Sequence, residues 1–395
     1  MTNPARIVST LVSTAPYSPH AARSLLRATT KRSPGTRAKR VAAAADWLRR
    51  AGDVTVDGGV AWGYRLRGGW APSYPETTGY IVPTYLALDA DPAFAAPAGT
   101  DRDRAERAIG FLAGVRLADG SFPGARIDEN QSVPSVFNTA QILNGLTAWR
   151  RASGDEAVGA MADAAAAWLV ACQDDDGAWR RHAYNGFPVT YLAHGTCWLA
   201  EHAVLTGDAP ARDAAERHLD WVLRQFDRQS GWFDLTGFTE EDHTARRSVT
   251  HTLAYTIWGV LDLALVLGRD DAVEAAAAAA TRVAGVVRER GRLPGMLAAD
   301  WADRTSWACL TGNSQMALIW FKLAEIGHAA GDIGAARIAL DRVLETQDLG
   351  SGDPGIRGGI AGSDPPWGTY LRFVLPNWAA KFTIDALLEE RRLAG

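Results

Sequence analysis

The chain has 395 residues, 47% hydrophobic and 22% charged, enough apolar surface for a large core and the opposite of a disordered composition. Its formal net charge of −4 is small for that length, and Lys and Arg do not gather on one segment of the folded part, so no nucleic-acid footprint is visible. The three cysteines, Cys172, Cys197 and Cys309, are far apart and odd in number, which argues against a disulfide framework and favours a reducing compartment, the cytoplasm.

Residues 1–35 stand apart: they hold Arg6, Arg23, Arg27, Lys31 and Arg32, no acidic residue, and the breakers Pro4, Pro16, Pro19 and Pro34. This composition reads as a basic, poorly ordered arm. Its sharper use would be a peripheral contact with an anionic membrane, a lipid-linked glycan or a partner. No apolar run in it is long enough for a secretory signal or a membrane span.

Residues 36–395 read as one domain. Thr36 to Arg50, TRAKRVAAAADWLRR, is a strong helix with no partner before it, and LPNWAAKFTIDALLEERRL is a helix with no partner after it. Between them a turn glycine recurs at Gly58, Gly120, Gly177, Gly231, Gly291 and Gly355, spaced by 54 to 64 residues, one helical hairpin plus its loops. Six such units cannot bury their faces alone; pairing the two ends closes them into a ring, an all-α (α/α)6 toroid with an inner and an outer circle. Helices such as RDRAERAIGFLAGVR and ARDAAERHLDWVLRQF are charged on one face and belong outside, whereas VFNTAQILNGLTAW and THTLAYTIWGVLDLALVL are apolar nearly all round and belong inside.

The few polar residues of the inner helices fall in or just before their first turns. Glu76 and Tyr80, Asn138 and Gln141, Tyr191 and His194, His251 and Tyr255, Asn313 and Gln315, and Asn377 and Lys381 are the pairs. Parallel inner helices would bring these leading ends to one funnel, the geometry of a small-molecule or sugar site. Singly, each has a plainer use. Asn138, Asn313 and Asn377 fit as caps, His194 and His251 as core histidines, and Tyr80 and Tyr255 as packing aromatics. Glu76, in SYPETTGY, is costly to bury without a partner, although Pro83 is expected to shift the helix start and carry Glu76 into the preceding loop.

The motif Trp168-Leu169-Val170, Gln173, Gly177 and Trp179 resembles the QW repeat of terpene cyclases, within the toroid group that includes protein prenyltransferases and six-hairpin glycosidases. The phrases SYPETTGYIVPT, CLTGNSQMALIW, GIRGGIAGS and LPNWAAKF, over nearly all of residues 57–390, resemble a bacterial exopolysaccharide-biosynthesis family named after VpsJ. They are more distantly similar to the C-terminal domain of glucuronyl C5-epimerases. The resemblance implies a carbohydrate-active protein.

Cyclase chemistry would need a DxDD acid, which is absent, and His194 with Cys197 or Asp303 with Cys309 is only a fragment of a zinc site, so neither metal nor cofactor is expected. Proton abstraction from a uronate, of epimerase or lyase type, needs proton carriers and donors that quiet the carboxylate. Glu76, Tyr80, His251 and Tyr255 are the candidate carriers. Asn138, Tyr191, His194, Asn313, Gln315, Arg372, Asn377 and Lys381 are candidate substrate contacts. Three alternatives stand beside this reading. A glycosidase would pair Glu76 with Asp128, Asp300 or Asp303; an isoprenoid enzyme would show a lone acid in an aromatic wall; a non-catalytic glycan-binding protein would have a shallow or blocked funnel. Oligomeric state is not legible.

Overall fold

The computed structural model describes residues 19–30, 35–91, 94 and 100–394. Helix α1 (Pro19–Thr30) buries Ala21 and Leu25, so part of the basic N-terminal stretch is helical and docked. Residues 1–18, including Arg6, lie outside the described residues, and with them most of the stretch to which a membrane or partner contact was assigned.

The inner circle is formed by α3 (Pro75–Ala90), α5 (Val136–Ser153), α7 (Ala193–Thr206), α10 (Thr250–Leu267), α12 (Leu310–Glu325) and α14 (Asn377–Ala394). Each packs on the next, and α14 closes back onto α3. Their outer partners are α4 (Thr100–Val115), α6 (Glu156–Cys172), α8 (Ala209–Leu223), α11 (Asp270–Arg290), α13 (Ile333–Thr346) and α2 (Arg37–Asp53). The first outer-type helix therefore pairs with the last inner one, α2 with α14. A further helix, α9 (Glu240–Thr244), is one short turn in a loop.

Local chemistry sets the ends of the helices. Gly154, Gly207 and Gly268 end α5, α7 and α10 with φ of +70° to +75°, a left-handed cap that costs glycine no Cβ clash. Asp155, Asp208 and Asp332 then cap α6, α8 and α13 by accepting from the first backbone N–H groups. Burial follows the apolar pattern, and in α10, 16 of the 18 residues are buried. That helix is long and apolar enough to cross a membrane, but its sides are covered by α7, α11 and α12.

The repeat has one recurring junction. A Cβ on Gly58, Gly120, Gly177 or Gly358 would press on the backbone carbonyl of Arg107, Ala164, Arg217 or Ala43, each in the next outer helix. Gln173 donates from Nε2 to Gly177 O (3.1 Å) and Ala214 O (2.8 Å), and Gln347 donates likewise to Gly358 O (2.9 Å) and Arg40 O (3.1 Å). The sixth turn glycine is thus Gly358, with φ of +83°, not the expected Gly355, and Gly291 is the left-handed cap of α11. Gln347 marks the register, because its two bonds reproduce those of Gln173.

Short strands crown the leading ends of the inner helices. β1 (Gly63–Arg65) pairs antiparallel with β2 (Gly69–Trp70) and with β9 (Val374–Pro376), stitching the first loop to the last. β3 (Phe226–Asp227) pairs with β4 (Trp232–Phe233). β5 (Arg247–Val249) pairs with β6 (Met296–Ala298), and β7 (Ala308–Cys309) with β8 (Ser363–Asp364), so successive loops are tied to one another.

Candidate active site at the leading ends of the inner helices

Contacts between neighbouring inner helices join start to start. Gly312 abuts Thr250 and His251, Gly195 abuts Ala140, and Gly79 abuts Ile142, each position lacking room for a Cβ. Asn377 Nδ2 donates to Thr77 Oγ1 (2.7 Å), joining the start of α14 to that of α3. The inner helices therefore run parallel, with their leading ends on one side.

Pro75 opens α3 at its first position, where a missing N–H costs nothing, so Glu76 lies in the first helical turn. The expectation that Pro83 shifts this start is corrected, because Pro83 lies inside α3. Its ring leaves the Gly79 carbonyl without the usual helical donor, and that carbonyl lies against Gly145 of α5, where a side chain would clash.

Glu76 is 9% exposed, and burial raises its carboxyl to about 7, opposed by the bond it accepts from the Tyr74 hydroxyl. Asn138 Nδ2 donates to that same hydroxyl (3.3 Å) and to Pro123 O (3.0 Å). The hydroxyls of Tyr74, Tyr80, Tyr191, Tyr255 and Tyr370 are all pushed up, first by burial and also by the charge of Glu76. The carboxyl therefore feels tyrosines from the start of α3, the turn before α7, α10 and the last loop.

His251 packs, tilted, against Tyr255 and Tyr370, with ring centroids 4.6 and 5.4 Å apart. Its Nδ1 lies 2.8 Å from Gln315 Oε1, an acceptor, so Nδ1 carries the proton and Nε2 the lone pair. Burial lowers its pKa to about 4, against the opposing bond to Gln315. His194 is held the other way round: its Nδ1 faces Gln141 Nε2 at 2.9 Å and accepts, leaving the proton on Nε2, which has no partner. Burial, then the charges of Lys381 and Lys322, keep His194 uncharged.

Phe382 packs on the same aromatic residues. Its ring lies 5.6 to 5.7 Å from those of Tyr80, Tyr255 and Trp258, with His194 beside it. Tyr191 packs edge-on against Phe137 on the wall. Glu76, Tyr80, Tyr255, His251, Gln315, Tyr191 and Asn138 are thus joined into one buried cluster, with His194 packed on Tyr255.

The other anticipated residues are placed differently. Asn313 and Asn377 are fully buried and donate to the loop carbonyls of Cys309 (2.7 Å) and Ala61 (2.9 Å), tying loops to helix starts. Lys381 is ion-paired with Asp385 and lies over Phe382 and Tyr80. Arg372 is exposed on the rim loop.

Two participants were not foreseen. Tyr74 precedes Glu76 by two residues, and its place beside a buried acid was the available signal. Tyr370 comes from a loop with no periodic pattern, and only the fold brings it to His251. Asp128, Asp300 and Asp303 are paired with Arg126, Arg304 and Arg292, and Glu76 shows no carboxylate among the causes of its shift. Among the described residues, no three His, Cys, Asp or Glu side chains are grouped to hold a metal ion.

No family model matches the chain. A terpentedienyl-diphosphate synthase of Kitasatospora griseola is 30% identical over 113 residues, 28% of this chain and 21% of that protein, so the chain spans about a fifth of that relative's length. Solved structures align much more completely. The unsaturated glucuronyl hydrolase of Bacillus sp. GL1, responsible for the degradation of glycosaminoglycan, is 16% identical with a TM-score of 0.68, covering 90% of this chain and 96% of that one. The cellobiose 2-epimerase of Bacillus thermoamylovorans is 13% identical with a TM-score of 0.68, covering 87% and 95%. A sugar epimerase from a ruminal bacterium is 11% identical with a TM-score of 0.69, covering 94% and 98%. At these identities the likeness shows the architecture, an α/α toroid of six hairpins shared with saccharide hydrolases and epimerases.

Proposed function

We propose that the chain is a carbohydrate-active enzyme that moves a proton on a uronate-containing saccharide, by C5-epimerase or lyase chemistry, in exopolysaccharide biosynthesis. One observation carries this reading. A lone carboxyl that holds its proton to about pH 7 and an uncharged histidine with a free Nε2 face the same group of tyrosines. Such a pair suits proton donation and abstraction near neutrality. His251 Nε2 would take the C5 proton, Glu76 would return one to the other face or to the departing oxygen, and the tyrosine hydroxyls would steady the developing oxyanion. The arginine pairing of Asp128, Asp300 and Asp303 speaks against a two-carboxylate hydrolase. The toroid neighbours that act on saccharides support the substrate class.

A second reading has its own observation. A lone acid in an aromatic wall is what alkene protonation would use, and the partial similarity to a diphosphate synthase points the same way. Incubation with uronate oligosaccharides in deuterated water separates the readings. Deuterium at C5 with inversion identifies an epimerase, and a new ultraviolet-absorbing double bond a lyase. A reducing end without either identifies a hydrolase. Turnover of an isoprenoid diphosphate, with no change in any uronate, would overturn the saccharide proposal.

A further inference from the structure

Three arginines occupy one corner of the rim. Arg65 lies in β1 opposite Val374 of β9, and Leu66 N–H donates to Phe373 O (3.0 Å), so Arg67 and Arg372 each lie one residue beyond that bond. Arg65 is half-buried and the other two are exposed; none of the three forms an ion pair among the described residues. Arg126 makes the contrast. It reaches the same Trp62 ring, at 5.7 Å against 5.9 Å for Arg65, but its charge is committed to Asp128 and Glu129.

The Arg65 guanidinium lies in cation–π range of Trp62, and with no carboxylate paired to it its N–H donors are left for an anion. The corner is continuous with the residues of the site. Trp62 meets Trp378 edge-on at 5.4 Å, Trp378 Nε1 donates to the Tyr370 hydroxyl (3.0 Å), and the Tyr370 ring lies 5.4 Å from that of His251. Arg372 is flanked by Leu371 and Phe373 with φ of +52° and +61°, a costly backbone for such residues, held here by Phe373 N–H donating to Pro366 O (2.8 Å).

We infer that this corner is the anion subsite. Arg65, with Arg67 and Arg372, takes the carboxylate of a uronate residue at the rim, next along the saccharide from the sugar that reaches His251. Lys381, committed to Asp385 on the inner side, is replaced in that role. The inference rests on the saccharide reading for its choice of ligand, since the same guanidinium groups would also take a diphosphate.

Calorimetric titration of the full chain with tetrasaccharides containing glucuronate, galacturonate or mannuronate, and with their carboxyl-reduced counterparts, tests it. Geranylgeranyl diphosphate serves as the competing anion. At least one uronate should bind roughly tenfold or more tighter than its reduced counterpart. Arg65→Gln and Arg372→Gln should each remove about tenfold of that preference, Arg65→Lys should restore it only in part, and Arg212→Gln on the outer surface should leave it intact. Circular dichroism melts matching wild type establish that the variants fold. No preference for any uronate, or variants that keep it, overturns the subsite; so does arginine-dependent binding of the diphosphate in preference to every uronate. Deuterium exchange is read separately. Arginine-dependent uronate binding without exchange supports the subsite and sinks the proton-transfer reading, whereas exchange without carboxylate preference does the reverse.

Discussion

The two ends of the inner circle handle buried ionisable groups in opposite ways. At the leading end, Glu76 and His251 have no charged partner, and burial holds each in its neutral form. At the thirteenth position of their helices, roughly 18 Å along by the helical rise, Lys322 of α12 and Asp262 of α10 form an ion pair. Part-way between, at the fifth position of α14, Lys381 is also paired, with Asp385, whose other oxygen accepts from Thr84 Oγ1 (2.8 Å). A buried group has these two routes out of its desolvation cost, neutralisation or pairing. A paired charge is committed, while a neutral group with a shifted pKa can still exchange a proton. On the proposed reading, the proton transfer belongs at the leading end.

The largest test of this contrast is catalytic. Glu76→Gln and His251→Asn should each lower the rate of C5 deuterium exchange by about 10²- to 10⁴-fold while leaving the fold intact. Wild-type exchange should be bell-shaped in pH, with limbs near 4 for His251 and near 7 for Glu76, and Glu76→Gln should remove any residual upper limb. A rate unchanged in both variants would detach the chemistry from this end.

Breaking a pair at the other end should show in stability instead. Asp262→Ala strands the partly exposed Lys322 and should cost about 1 to 3 kcal/mol in urea unfolding, while the double change Asp262→Leu with Lys322→Met should recover most of it. An Asp262→Ala protein as stable as wild type would remove the contrast.

The pH dependence of folding sharpens the same point. The Glu76 pKa is raised on folding from 4.5 to about 7, so between those values the folded state binds the extra proton and stability falls as pH rises. His251 is lowered from 6.5 to about 4, so in its window the unfolded state binds the extra proton and stability rises with pH. The two slopes oppose each other in wild type. Relative to wild type, Glu76→Gln should gain about 1.4 kcal/mol per pH unit across its window, roughly 3 kcal/mol in all. His251→Asn should lose stability with rising pH by a similar slope, and parallel pH profiles for all three proteins would contradict the assigned shifts.

The smallest effect concerns which nitrogen of His251 carries the proton. Gln315→Leu removes the acceptor for Nδ1–H, and nitrogen NMR of the imidazole should show the Nε2-protonated tautomer becoming populated, with a roughly tenfold loss of exchange rate. Rate loss without a change in tautomer would make Gln315 a packing residue only.

Reading order along the chain explains what was legible. The glycine stops followed by acidic caps, as in Gly207-Asp208, are local, and they placed the helix boundaries because each device acts within a turn of itself. Pro83 misled for the converse reason. Its local preference is to break a helix, but the close approach of Gly79 and Gly145 accommodates the freed carbonyl. The sixth turn glycine was taken as Gly355 rather than Gly358 because only the bonds of Gln347, to Arg40 over 300 positions away, fix that register.

By itself the sequence determined the hairpin count, the closure of α2 against α14, the division into inner and outer helices, and the gathering of polar residues at the leading ends. These follow from periodicity and caps, which are written in neighbouring residues. Only the tertiary structure decided what each polar residue does: Asn377 braces Thr77, 300 positions away, whereas His251 receives its tautomer from Gln315, 64 positions away. Protonation and partnership depend on what surrounds a side chain in space, and in a ring those surroundings come from helices far apart in the chain.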